Sequence, residues 1–127
     1  MMSYRKLTVH QRALELTDRV FDLVESPALE RRYWFQRQLS EAVGSVSSNI
    51  AEGNGRSTPL DYASFLDRAR GSLFEVDNWV NIATRRGWCG RQTQAELEGL
   101  IDEISAMLFR MASQLRKKSA LESRANA

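Results

Sequence analysis

The side chains able to do chemistry in this chain stand without their usual companions. A dinuclear metal site in a helical protein needs inward glutamates and two Glu-x-x-His pairs. The chain has one histidine, His10, and no Glu-x-x-His. Glu52 and Glu75 fall near a helical interior or its flank, with no histidine beside them. A nucleophilic cysteine needs a lowered pKa and a base. Cys89 has Arg91 nearby to favour its thiolate, but no neighbouring residue supplies a base. As the only cysteine it can form neither an internal disulfide nor a cysteine-based zinc site. Ser45, Ser47 and Ser48 have no histidine partner. Gly53-Asn54-Gly55-Arg56 has the Gly-x-Gly spacing of a phosphate loop, yet it follows a helical pattern and no Gly-Lys-Ser/Thr occurs. These residues predict no enzyme, no metal and no cofactor. His10 is expected to be a packing or surface residue, and Cys89 a partly buried loop residue.

Phosphate binding is the chemistry left open. The formal charge is +2 and the pI about 9.0. The basicity is spread evenly, with 8 basic and 7 acidic side chains in residues 1–60 and 10 and 9 in residues 61–127. Such a balance permits nucleic-acid binding without arguing for it. The basic residues form groups: Arg31 and Arg32 with Arg37, Arg68 with Arg70, Arg85 and Arg86 with Arg91, and Arg116 with Lys117 and Lys118. Arginine forks onto phosphates, and Tyr33, Trp34 and Trp88 offer faces for stacking on bases. The competing reading of each group is solvated charge at a helix end or face.

Helices must position these groups. The 127 residues, 43% hydrophobic and 27% charged with 7 Gly and 2 Pro, suit one globular domain of a few long elements. Helix 1 is expected over Thr8 to Glu25, capped by Thr8 with Gln11. Its seam is Val9, Ala13, Leu16, Val20 and Leu23. Helix 2 is expected over 28–53, with Phe35, Leu39, Ala42, Val43, Val46 and Ile50 on one face. Gly53 and Gly55 are placed to end it in the left-handed conformation. Helix 3 starts from Thr58, Pro59 and Asp61, runs along Tyr62, Phe65, Leu66, Ala69, Leu73, Val76, Val80 and Ala83, and stops at Gly87. Helix 4 is expected to be capped by Thr93 with Glu96 and to carry Leu97, Leu100, Ile101, Ile104, Leu108, Met111 and Leu115. The ordered core covers about 4–118, and 119–127 is expected to fray. Four amphipathic helices with short connections predict an all-α, up-down-up-down antiparallel four-helix bundle.

Some residues fall outside the seams. Trp34, Glu41, Ser45, Ser48 and Glu52 share a second face of helix 2, where Gly44 and Ser48 are small enough for close approach. On helix 3, Phe74 is about 100° from Leu73 and Ile82 lies nearly opposite the seam. Trp34, Gly44, Ser48, Phe74 and Ile82 are therefore candidates for an oligomer interface. No run of about 18 apolar residues predicts a membrane span, and the N-terminus has no signal-peptide pattern. A cytoplasmic protein is expected.

The stretch Leu7-Thr8-Val9-His10-Gln11-Arg12-Ala13 and the element Ser45-Val46-Ser47-Ser48-Asn49-Ile50-Ala51-Glu52-Gly53, followed by Gly55-Arg56, carry a resemblance. It extends through Tyr62, Phe65-Leu66, Ala69 and Gly71-Ser72-Leu73 with Glu75. The chain resembles the four-helix-bundle family of 23S rRNA intervening-sequence proteins. That family is similar to the accessory variability determinant of diversity-generating retroelements. The family usually has tryptophan where His10 stands and proline where Ser47 stands. The resemblance implies a homo-oligomer, typically a pentameric ring. It is also similar, through the retroelement members, to basic barrels that bind nucleic acid and a reverse transcriptase. The expected function is a non-enzymatic oligomeric scaffold binding RNA, DNA or a nucleic-acid enzyme. The alternative is a structural or protein-interaction module without a nucleic-acid role.

Overall fold

The computed structural model describes residues 3–127. Four helices account for nearly all of them: α1 (Thr8–Val24), α2 (Tyr33–Asn54), α3 (Pro59–Arg85) and α4 (Arg91–Ala125). They pack in chain order, α1 on α2, α2 on α3 and α3 on α4, and α4 closes against α1. The result is the expected up-down-up-down four-helix bundle. The seam residues of α1 and the apolar face of α2 are all buried, as are Leu66, Leu73, Val76 and Val80 of α3. From α4, Leu97, Ile101, Ile104 and Leu108 complete the core, with Leu100, Met111 and Leu115 half-buried at its margin.

The helix ends differ from expectation in five places. Thr8 is the first residue of α1 and caps nothing; Leu7 holds the N-cap position. A short 3-10 turn over Tyr4–Lys6 precedes it, and the Gln11 amide donates to the Arg5 carbonyl at 3.2 Å. Helix 2 does not begin at residue 28. Pro27–Leu29 form a separate 3-10 turn, and Arg31 adopts a left-handed φ of 65°, which an α-helix cannot pass through. The Gln36 amide then donates to the free Val24 carbonyl at 3.1 Å, tying the start of α2 to the end of α1.

At the other end of α2, neither Gly53 nor Gly55 is left-handed. The helix runs to Asn54, Gly55 stays right-handed at φ −85°, and the end tightens through Gly55 and Arg56 N–H groups onto the Glu52 and Gly53 carbonyls. Gly53 is there for space: a Cβ on it would lie 2.8 Å from Phe65 Cβ and 3.0 Å from Tyr62 Cδ1. Helix 4 begins at Arg91 with Gly90 as its N-cap, so Thr93 is already helical and caps nothing. It also runs on to Ala125, through the segment expected to fray. Ala, Leu, Glu and Arg make up most of that segment, and their high helix propensity needs no burial.

Helix 3 matches its expected start and stop. Thr58 Oγ1 accepts from the Asp61 N–H at 3.1 Å, with Pro59 in the first turn. Its C-terminus is a Schellman motif: Gly87 at φ 77°, Gly87 N–H to the Thr84 carbonyl at 3.1 Å, and Trp88 N–H to the Ala83 carbonyl at 2.8 Å. That motif fixes where Trp88 enters the bundle end.

Candidate nucleic-acid interface

All three tryptophans meet at the end of the bundle where α2 starts and α3 stops. Trp34 packs edge-on against Trp79 with ring centroids 5.5 Å apart. Phe35 packs edge-on against both Trp79 (5.7 Å) and Trp88 (5.2 Å). Such perpendicular pairs set the positive edge of one ring on the negative face of the next. Phe35 is buried, Trp79 and Trp88 are half-buried, and the outer rings stand in solvent: Tyr33 is 70% and Trp34 58% exposed. Left-handed Arg31 makes this possible, because it turns the chain so that Tyr33 and Trp34 open α2.

Two arginine groups that are far apart in sequence converge on this cluster. The Arg32 guanidinium lies 4.2 Å from the Trp88 ring centroid, and that of Arg86 lies 5.7 Å away. Arg32 Nε donates to the Ala28 carbonyl at 3.0 Å. Arg31, Arg32 and Arg86 take part in none of the ion pairs among the described residues; nor do Arg37, Arg85 and Arg91, which are exposed. A cleft of about 400 Å³ opens between Arg31, Arg32, Tyr33, Trp34, Phe35 and Trp88, with no carboxylate in its wall.

The other groups are divided or engaged. Arg68 and Arg70 do not act together, since residues two apart point about 200° apart on a helix. Arg68 joins Arg56 on Phe65, each guanidinium 4.5 Å from the ring centroid. Arg70 turns toward α4, where Nε donates to Ser105 Oγ at 3.1 Å beneath the half-exposed Phe74 and Phe109. Arg116 is held by Asp67, whereas Lys117 and Lys118 are in none of the ion pairs among the described residues.

The interface candidates also separate. Trp34 and Phe74 are exposed and Ser48 is exposed. Apart from its own helix backbone and chain neighbours, no described atom lies within 4 Å of a Cβ built on Gly44, so no other helix of the chain approaches it. Ile82 is a correction: it is half-buried and packs against the core instead of facing away from it. Within the family motif, Asn49 Nδ2 donates to the Ser45 carbonyl (2.8 Å) and Oγ (3.0 Å), and Ser45 shares a 2.9 Å hydrogen bond with Ser72 of α3. The motif thus stitches α2 to α3, and Ile50 beneath it is fully buried. Ala51 is half-buried, while Glu52, Gly55 and Arg56 are exposed.

The groups considered for catalysis stay apart. Glu52 is exposed, and Glu75 Oε1 accepts from Trp79 Nε1 at 3.4 Å. Cys89 is buried, with its thiol directed to the Gly90 carbonyl. His10 is buried against the edge of Tyr4, its Nδ1 has no hydrogen-bond partner, and burial lowers its pKa below the ordinary value. Asp77, half-buried near Asp102, is pushed up by burial and then by that neighbouring charge. Among the described residues, no three His, Cys, Asp or Glu side chains are grouped to hold a metal ion. No helix among the described residues is long and apolar enough to cross a membrane.

Trp79 and Phe109 escaped the sequence reading. Trp79 directly precedes the seam residue Val80, and Phe109 directly follows Leu108, so each looks like a flank of the core. The signal for Trp79 was its position three residues beyond Val76, which keeps it beside the buried face.

Fold and site define a small all-α protein of the four-helix-bundle class. The chain belongs to the 23S rRNA-intervening sequence protein family, whose model matches residues 5–110. It is similar in structure to a protein of unknown function from the S23 ribosomal protein family of Bacteroides thetaiotaomicron. The TM-score is 0.77 at 20% identity, over 83% of this chain and 98% of that one. No curated protein matches the sequence.

Proposed function

We propose that this protein is a non-enzymatic, oligomeric scaffold of the cytoplasm that binds a nucleic acid or a nucleoprotein partner. The observation that carries the reading is the convergence of Arg31, Arg32 and Arg86 on the aromatic end of the bundle without a carboxylate partner. Unpaired guanidiniums suit phosphates, which they grip through two parallel hydrogen bonds. Assembly into a homo-oligomer, with five subunits as the resemblance implies, would repeat one modest patch around an axis and multiply its avidity. Fluorescence anisotropy with a structured RNA and a duplex DNA, at low and moderate salt, tests the binding. Affinity that falls steeply with salt supports the reading. Absence of binding at low salt removes it.

A second reading, a protein-interaction module, draws on a different place. Phe74 is 48% and Phe109 57% exposed on the α3–α4 face, around Arg70. Two exposed aromatics beside an arginine have the composition of a protein contact. Light scattering after size exclusion separates the two uses of that face. A wild-type mass of two or more times 14.5 kDa that falls in Phe74→Glu assigns the face to self-assembly, and a monomeric wild type leaves it for another partner.

A further inference from the structure

We propose that the aromatic end of the bundle is a stacking site for unpaired nucleotides of a single strand, so that the protein prefers single-stranded over duplex nucleic acid. This rests on the nucleic-acid reading above and narrows it to one ligand class. Tyr33 and Trp34 are largely exposed at the start of α2, and Trp34 packs perpendicular to Trp79, which with Phe35 and Trp88 forms the packed aromatic base. Trp34 is therefore anchored by an aromatic neighbour, with Tyr33 beside it in sequence. The adjoining depression is shallow, and its wall combines aromatic side chains with two arginines. A nucleotide has the matching halves: a flat base for the rings and a phosphate for the guanidiniums.

Duplex fits the same surface poorly. Its bases are stacked on each other and hide the faces that Tyr33 and Trp34 need, leaving only phosphate contacts for the arginines. A proline-rich peptide also favours aromatic grooves. Arg31 and Arg32 stand in none of the ion pairs among the described residues, which favours the polyanion, with Glu25 and Glu30 confined to the adjoining depression beyond Arg31 and Tyr33.

The site carries its own reporter, because every tryptophan of the chain belongs to the cluster. Intrinsic tryptophan fluorescence is followed while oligouridylate, oligothymidylate or a duplex of equal length is added, with anisotropy of the labelled strand measured in parallel. The expected result is saturable quenching by the single strands and none by the duplex. Tyr33→Ala and Trp34→Ala should each weaken single-strand binding by about 5- to 150-fold, the range for loss of one stacked base. Duplex affinity and oligomeric mass should stay unchanged. Saturable quenching by either single strand, with weaker binding of the duplex, supports the site.

Equal binding of single strand and duplex without quenching overturns the stacking site and leaves the nucleic-acid reading standing. So does single-strand affinity unmoved by both substitutions. If Trp34→Ala dissociates the oligomer and weakens both ligands alike, Trp34 belongs to the subunit interface and the site is overturned. Failure to bind any strand at low salt removes the site together with the reading beneath it. Quenching by a proline-rich peptide alone does the same and points to the protein-interaction module.

Discussion

Phe65 Cβ stands 2.8 Å from the point where a Cβ on residue 53 would have to be, so the α2–α3 turn closes only around glycine. The contact is with the root of the Phe65 side chain, which cannot swing aside. Gly53→Ala gains up to about 1 kcal/mol in helix propensity but forces a backbone shift that costs about 1–3 kcal/mol. The net expectation is a less stable protein, read as a lower urea midpoint with an unchanged slope.

Gly44 gives the opposite expectation, because no described atom outside its own helix turn lies within 4 Å of a Cβ there. Gly44→Ala should leave the isolated bundle as stable or up to about 1 kcal/mol more stable. Any loss of oligomeric mass in that variant would mark Gly44 as a subunit contact. Phe74→Glu is the companion test, since it places a charge on the exposed α3–α4 face. Light scattering should show weakened assembly with the helical content retained. An unchanged mass in Phe74→Glu would take that residue out of the interface.

Most of the bundle was legible because burial repeats with helical spacing. Val9, Ala13, Leu16 and Val20 announce their face without any knowledge of the partner helix. Helix ends were less legible. Thr8–Gln11 and Thr93–Glu96 have capping-box spacing, but the cap conformation belongs to Leu7 and Gly90. Ala28, Leu29 and Glu30 are good helix formers, and nothing in their types foretells the left-handed Arg31 beside them. The aromatic end was visible only in parts. Tyr33, Trp34 and Trp88 stood out, yet Trp79 joins Trp34 and Phe35 only once α2 and α3 are antiparallel. The pairing of Arg68 with Arg70 failed because neighbours in sequence diverge around a helix.

His10 should make the fold sensitive to acid. It is buried with Nδ1 unpartnered, and burial holds its pKa below 6.5. The unfolded chain therefore binds the proton more readily than the folded one. Stability from this group is complete above 6.5 and is lost as pH falls through the lower folded value. Urea midpoints measured between about pH 7.5 and about pH 5 should fall in the wild type and fall less in His10→Phe. Parallel curves for the two proteins would show that another group governs the loss.

Asp77 should act with the opposite sign. Burial, and then Asp102, raise its pKa above the ordinary 3.8. Its ionisation thus opposes folding, and the penalty grows as pH rises through the raised value. Asp77→Asn should raise the melting temperature at neutral pH, with the gain disappearing below 3.8, where both states hold the proton. A variant less stable than wild type at neutral pH would mean that the carboxylate makes a favourable contact.

The proposed function rests on arginines at the bundle end meeting phosphates, and the salt dependence of binding measures that most directly. Affinity for a single-stranded RNA is followed from about 50 mM to about 200 mM salt for wild type and for Arg32→Gln/Arg86→Gln. Each phosphate contact on a single strand contributes about 0.7 to the slope of log affinity against log salt. A linear decline is expected in the wild type, with a slope smaller by about 1.4 in the double variant if each arginine holds one phosphate. An unaltered slope in the variant, or no binding by the wild type at the lower salt, would contradict the account.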